Sequence, residues 1–370
     1  VNALSTSSIE AFVTDQLLVL QRDAAQLVGL AAEGLQSMYD ERSGAFCRRV
    51  TRSDQGLRRV GKSYASGLVA TLGLHEVTRR GSWTPFATQS LAEEFVKGAA
   101  GVRTLGDLGL LFWMTARVAP DRLEDLFQAF DVRIAVDAYP DGRAGRTGAL
   151  AWLLAGLSEV RASGAAYPPA MDDVARLVRQ LLFVNYGGYG IFARARRNNG
   201  RGIFPDQAFA VYAFARYAQV YGDDGALRVA VSVADRLVEE QGLTGQWWWE
   251  YSVAGGRVTA SYPVLSVHQY AIGPMALIAL SRLTGVDYSD AVAASLAWVR
   301  FGNERKLDLV DAKRQVVWDG LRLSRYRACI HRWAPARIFT RLTPRADVIE
   351  ECRPEHLGWL LYALGGAAAR

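Results

Sequence analysis

The chain has 370 residues, half of them hydrophobic and 22% charged. That balance excludes a disordered chain and permits a large buried core. The formal net charge of +6 comes from an arginine-dominated set, with lysine only at Lys62, Lys97, Lys306 and Lys313. A modest excess spread along the chain permits an anionic ligand but does not imply a nucleic-acid partner. Cys47, Cys329 and Cys352 are too few and too irregularly spaced for a disulfide framework or a CxxC metal site. No apolar run approaches the ~20 residues of a membrane span, and no basic-then-apolar leader opens the sequence. The expectation is a cytoplasmic protein without metal or cofactor.

Apolar residues recur at three- and four-residue spacing in one segment after another, with almost no period-two alternation. The spacing predicts helices over 8–37, 63–80, 85–100, 105–118, 120–130, 144–162, 170–184, 205–221, 223–240, 266–284, 287–300 and 354–369. Pro85, Pro120, Pro205 and Pro354 suit first helical turns, and Gly81, Gly222 and Gly285 suit the position after a helix end. Long connections (38–62, 131–143, 185–204, 241–265, 301–353) alternate with short ones, apart from the short link at 101–104. In a ring of antiparallel helix pairs, successive connections lie at opposite ends, so almost all the long ones share one end. Twelve helices in six hairpins make an all-α (α/α)6 toroid. No fixed repeat supports an α-solenoid, and no linker divides the chain, so residues 1–370 are read as a single domain.

The loops carry the chemistry. In the first, Arg48-Arg49, Arg52, Arg58-Arg59 and Lys62 form a basic rim. Gly61-Lys62-Ser63 lacks the first glycine of a P-loop, and no strand is predicted before it. The acids of Asp172-Asp173 and Asp223-Asp224 each open a helix and read as helix-start residues rather than metal pairs. In the middle loop, Arg196 and Arg197 are placed to clamp an anion. Asp206 follows Phe204-Pro205 at a helix start, where a cap competes with a substrate contact. The stretch Gln246-Trp247-Trp248-Trp249-Glu250-Tyr251 places three indoles side by side. They cannot all face one core, because successive side chains alternate on a strand and spread around a helix. With Tyr262, His268 and Gln269 they form an aromatic wall bearing polar groups. At the last helix start, Glu355 and His356 offer proton transfer.

The helical-hairpin layout, the Gln246–Tyr251 segment, Tyr262-Pro263-Val264 with Ser266-Val267-His268-Gln269, and Arg353-Pro354 with His356-Leu357-Gly358-Trp359 together resemble the six-hairpin glycosidase-like superfamily. The motif match covers mainly 200–370. The resemblance implies an (α/α)6 barrel acting on glycans as hydrolase, lyase or epimerase through carboxylates, histidine and tyrosine on the loop face, usually without a required metal. In such relatives a histidine tends to follow the tryptophans and an aspartate the His-Gln pair, where this chain has Glu250 and Tyr270.

The expected function is therefore a carbohydrate-active enzyme for an acidic or modified oligosaccharide or other small molecule. Its catalytic candidates are Glu250, Tyr251, His268 and Glu355. Its binding candidates are Trp247, Trp248, Trp249, Tyr262, Gln269, Tyr270, Arg196, Arg197, Asp206 and His356. The more apolar pocket implied by Tyr270 keeps open an alternative, a toroidal terpene-cyclase-like enzyme using cation–π stabilisation, although an Asp-x-Asp-Asp motif is absent. A non-catalytic binding toroid is the second alternative.

Overall fold

A computed structural model describes residues 6–81, 84–102, 104–138, 147–165, 167–195, 200–323 and 346–365, with side chains from residue 22 onward. The helices, in chain order, are α1 (Thr6–Met38), α2 (Tyr64–Thr78), α3 (Thr88–Lys97), α4 (Leu105–Val118), α5 (Leu123–Ala129), α6 (Val132–Asp137), α7 (Thr147–Ala162), α8 (Ala170–Phe183), α9 (Phe204–Tyr221), α10 (Asp224–Glu239), α11 (Gly273–Thr284), α12 (Ser289–Ala297) and α13 (Pro354–Leu364). Their packing closes a ring in the order α2, α4, α7, α9, α11, α13 and back to α2. The remaining helices lie outside this ring.

Burial separates the two layers. α10 buries Ala226, Val229, Ala230, Val233, Ala234 and Leu237, the single stripe expected of an outer helix with one face in water. α4 instead buries nearly every residue from Leu105 to Val118, as an inner helix surrounded on all sides must. Close approach within the ring depends on missing side chains. A Cβ on Gly156 of α7 would lie 2.2 Å from the Gly109 carbonyl oxygen of α4, and one on Gly73 of α2 would lie 2.2 Å from that of Gly358 of α13. Gly222 and Gly285 close α9 and α11 in the left-handed conformation, at φ 67° and 77°, which glycine adopts without penalty. Pro205 and Pro354 stand in first helical turns, and Ser63 caps α2 by accepting from the Ser66 backbone N–H at 3.2 Å. The helix-start reading of the acid pairs also holds: Asp223 caps α10, while Asp172 and Asp173 occupy the first turn of α8.

The long connections enter the ring at the N-terminal ends of inner helices, as the alternation of loop lengths predicts. They hold more strand than periodicity suggests. Residues 38–62 form a hairpin of Ala45–Ser53 with Gly56–Lys62, in register Cys47 opposite Lys62, and Glu351–Cys352 adds to its other edge. The strand Gly320–Arg322 pairs antiparallel with both Asp347–Ile349 and Val264–Leu265. Arg201–Ile203, Glu250–Ser252 and Val258–Ala260 make a third small sheet. Most of these strands are two or three residues long, and the two longest, Ala45–Ser53 and Gly56–Lys62, do not alternate strictly in burial, so they leave little period-two pattern. The connection at 131–143 likewise contains α6. One continuous hydrophobic core runs from Ala24 on α1 to Leu364 on α13. Among the described residues, no helix is long and apolar enough to cross a membrane.

Candidate active site at the helix N-termini

Three chain segments are brought together by the sheet centred on Gly320–Arg322. Gly320 makes this possible: it sits at φ 133°, and a Cβ there would lie 2.1 Å from the Val264 carbonyl oxygen. The Asp319 N–H reaches the carbonyls of Ile349 (3.1 Å) and Glu351 (2.9 Å), and the Asp319 carbonyl accepts from the Ser266 N–H at 2.9 Å. The backbone of Asp319 is thus fixed to the segments that precede His268 on one side and His356 on the other. His268 then opens a π-helical turn, His268–Ile272, ahead of α11, a local widening often found at functional positions.

The result is a buried cluster of Asp319, His268 and His356. Asp319 Oδ1 lies 2.9 Å from His356 Nδ1, a close approach that falls short of an aligned hydrogen bond. Burial alone would raise the Asp319 carboxyl, but His356 and the nearby Arg353 outweigh it and hold the group below its usual range. Asp319 is therefore ionised at neutral pH. His268 is shaped by the opposite balance. Burial, reinforced by His356 and only partly opposed by Asp319, lowers its imidazole to about 3, so it is neutral. Its Nδ1 has no hydrogen-bond partner among the described residues. The ring packs 4.9 Å from Phe204 and lies nearly parallel to Trp249, 6.1 Å away. The cluster thus sets a neutral imidazole, with one nitrogen unpartnered among the described residues, beside an ionised carboxylate.

Other expected residues sit around this cluster. Glu355 Oε1 lies 3.9 Å from His356 Nε2, and Glu355 also accepts from the Ser66 hydroxyl at 2.8 Å. Tyr270 is fully buried, and burial, with Cys352 and Asp319 nearby, pushes its phenol well above the usual range. Asp206 lies in the first turn of α9 and accepts from the Gly148 N–H of α7 at 3.2 Å. It thus satisfies an end donor of the neighbouring inner helix, an inter-helix form of the expected cap. Of the three indoles, only Trp249 is partly exposed.

Several expected roles are corrected. Trp247 and Trp248 are core residues, 1% and 9% exposed, and Trp247 stacks on Phe204 at 5.5 Å. They cannot stack on a sugar. Gln269 is wholly buried and clasps backbone: its Oε1 accepts from the Trp247 N–H at 3.0 Å and its Nε2 donates to the Leu265 carbonyl at 3.2 Å. Gln207 of α9 does the same to both backbone groups of Phe192, so the His-Gln pair owes its glutamine to loop anchoring. Glu250 lies on the hairpin, paired with Arg201 at 3.2 Å and accepting from Thr259 at 3.1 Å, so both contacts of its carboxylate serve the small sheet. Tyr251, its strand neighbour, points into the core, fully buried and apart from the Asp319 cluster. Tyr262 is raised by burial and by Glu304, with which it forms a separate polar group. Glu304 also takes hydrogen bonds from Gln246 and Trp298. Arg196 and Arg197 lie outside the described residues.

Asp319 is the residue sequence reading passed over. Its signal was present: an acid between Trp318 and Gly320, after the apolar pair Val316-Val317, in the longest connection. An acid in such surroundings is either paired or costly.

No family model matches the sequence, and no curated protein matches it. Solved structures match along most of its length. A sugar epimerase from a ruminal bacterium aligns with a TM-score of 0.61 at 10% identity, covering 94% of this chain and 98% of that one. A glycosyl hydrolase of family 88 from Bacteroides vulgatus aligns at 0.60 and 10%, over 95% and 99%. A possible member of the GH105 family from Salmonella enterica subsp. enterica serovar Paratyphi A aligns at 0.59 and 12%, over 93% of each chain. The chain thus has the (α/α)6 toroid fold of the six-hairpin glycosidase-like enzymes.

Proposed function

We propose that the protein is a carbohydrate-active enzyme, working on a small, acidic or modified glycan by imidazole–carboxylate proton transfer at the N-terminal end of the inner helix ring. The observation that carries this reading is the neutral, buried His268 with its free Nδ1 beside the Asp319–His356 pair. The fold supports it, since its matches include a sugar epimerase and an unsaturated glucuronyl hydrolase specific for heparin.

His268 serves as the base and Asp319 orients His356 as its counterpart acid, a pairing suited to abstraction next to a sugar carbonyl or carboxylate. Trp249, stacked on His268 and partly open, offers a face for the sugar ring. Epimerase or lyase chemistry fits two imidazoles better than a pair of carboxylates flanking a glycosidic bond. The whole chain acts as one unit. A reducing, cytoplasmic setting agrees with the buried free thiols of Cys47 and Cys352.

The test is incubation with pools of reducing and uronate-bearing oligosaccharides in deuterated water, followed by NMR. Solvent deuterium should enter a sugar carbon, and His268→Ala and Asp319→Asn should each lower kcat/KM by about 10²-fold or more. Unchanged turnover in His268→Ala overturns the assignment.

A further inference from the structure

The opposite end of the toroid carries a polar cavity, of about 260 Å³, to which the C-terminal halves of all six inner helices contribute. Its lining includes five arginines (Arg79, Arg80, Arg117, Arg216 and Arg282) against two glutamates, Glu76 and Glu159. The excess of three positive charges is half of the formal net charge of the chain.

The carboxylates are already taken. Glu76 binds Arg117 at 2.5 Å and Arg79 at 3.1 Å, while Glu159 binds Arg216 at 2.6 Å, Arg117 at 3.7 Å and the Tyr212 hydroxyl at 3.2 Å. Arg80 and Arg282 have no hydrogen bond or ion pair among the described residues, and the buried Nε of Arg80 has no partner. Burial lowers Arg80, Glu76 opposes the shift, and Arg79, Arg282 and Arg117 lower it further by repulsion. Helix C-termini do attract cations, but only within the last turn, and neither arginine donates to a helix carbonyl. Dipole compensation therefore leaves their donors unused.

This cavity is also separate from the N-terminal cluster. Trp113 of α4 stacks on Tyr212 of α9 at 4.8 Å and packs on Trp359 of α13 at 5.2 Å. These helices are not neighbours around the ring, so their rings meet across its axis and plug it.

We propose that this C-terminal mouth is a binding site for a small dianion of the phosphate or sulfate class, gripped by Arg80 and Arg282 with Arg79 at the rim. Guanidinium forks match the geometry of tetrahedral oxyanions, and a bound dianion relieves the repulsion among the arginines. Free inorganic ion and the phosphate or sulfate group of a modified sugar present the same chemistry. The site does not depend on the proton-transfer reading of the other end.

Calorimetric titration of the full chain with inorganic phosphate and with sulfate, in low-chloride buffer, tests it. One saturable site is expected for at least one ion. Its affinity should fall about tenfold or more in Arg80→Gln/Arg282→Gln, since each lost charged contact is of that order, and should be unchanged in His268→Ala. Arg282→Gln alone alters an exposed side chain and keeps the test open if the double variant misfolds; it should weaken binding severalfold. Absence of saturable binding, or equal affinity in wild type and these variants, overturns the proposal. A glucose phosphate titrated alongside separates the sources: competition with phosphate for the same site points to a modified sugar, and its exclusion to the free ion.

Discussion

The two mouths of the ring are built from the same six helices yet treat charge in opposite ways. At the C-terminal mouth every carboxylate is saturated by arginine and the unused groups are cations. At the N-terminal mouth the unused group is a neutral imidazole, and the carboxylate beside it faces His356 at 2.9 Å with Arg353 nearby. The difference follows from the connections. Short turns leave the C-terminal mouth to helix side chains long enough to reach across it. Long connections bring extended backbone into the N-terminal mouth, where strands can set a short aspartate against histidines on two helices.

The two largest expected effects are of similar size, and the first concerns the C-terminal carboxylates, which tie α2, α4, α7 and α9 together through Arg117 and Arg216. Glu159→Leu removes the carboxylate partner of Arg216, leaving it Gln219, and leaves Arg117 with Glu76 alone, and it should cost about 3 kcal/mol of unfolding free energy, read by chemical denaturation. A loss below about 1 kcal/mol would make that network a surface feature.

The next effect concerns acid. His268 has a native value of about 3 against 6.5 when unfolded, so the unfolded chain binds the extra proton between those limits. Stability from its neutral burial is fully present above 6.5 and is lost as pH falls toward 3. Integrated over that range it amounts to at most roughly 4 kcal/mol. His268→Gln should flatten the acid limb of the stability–pH curve, and an unaltered limb would show that His268 is not buried neutral. Asp319 shifts in the same direction but acts only below the ordinary carboxylate range.

The smallest effect sharpens the boundary of the site. Glu250→Gln should leave turnover within about twofold and stability within about 1 kcal/mol, as for a partly exposed ion pair, when assayed beside His268→Ala. A collapse in turnover would return Glu250 to the catalytic set.

Local chemistry explains what was legible. The inner and outer helices fall within a few residues of their predicted spans because apolar spacing, Pro205 and Pro354 at helix starts, and Gly222 and Gly285 at helix ends all act over one or two turns. His268 and His356 were also found, since each follows the serine or proline that marks a helix start.

The amino-acid sequence by itself determined the helices, the alternation of their connections and hence the toroid, because those depend on short-range periodicity and chain length. Tertiary structure alone decided that Trp247 and Trp248 face the core while Trp249 stays partly open, that Glu250 serves a hairpin, and that Asp319 meets histidines more than thirty residues away. It alone gathered the C-terminal arginines of α4, α9 and α11 with the pair that follows α2 into one mouth. Burial and long-range pairing set those outcomes, and neither is written in the residues next to each side chain.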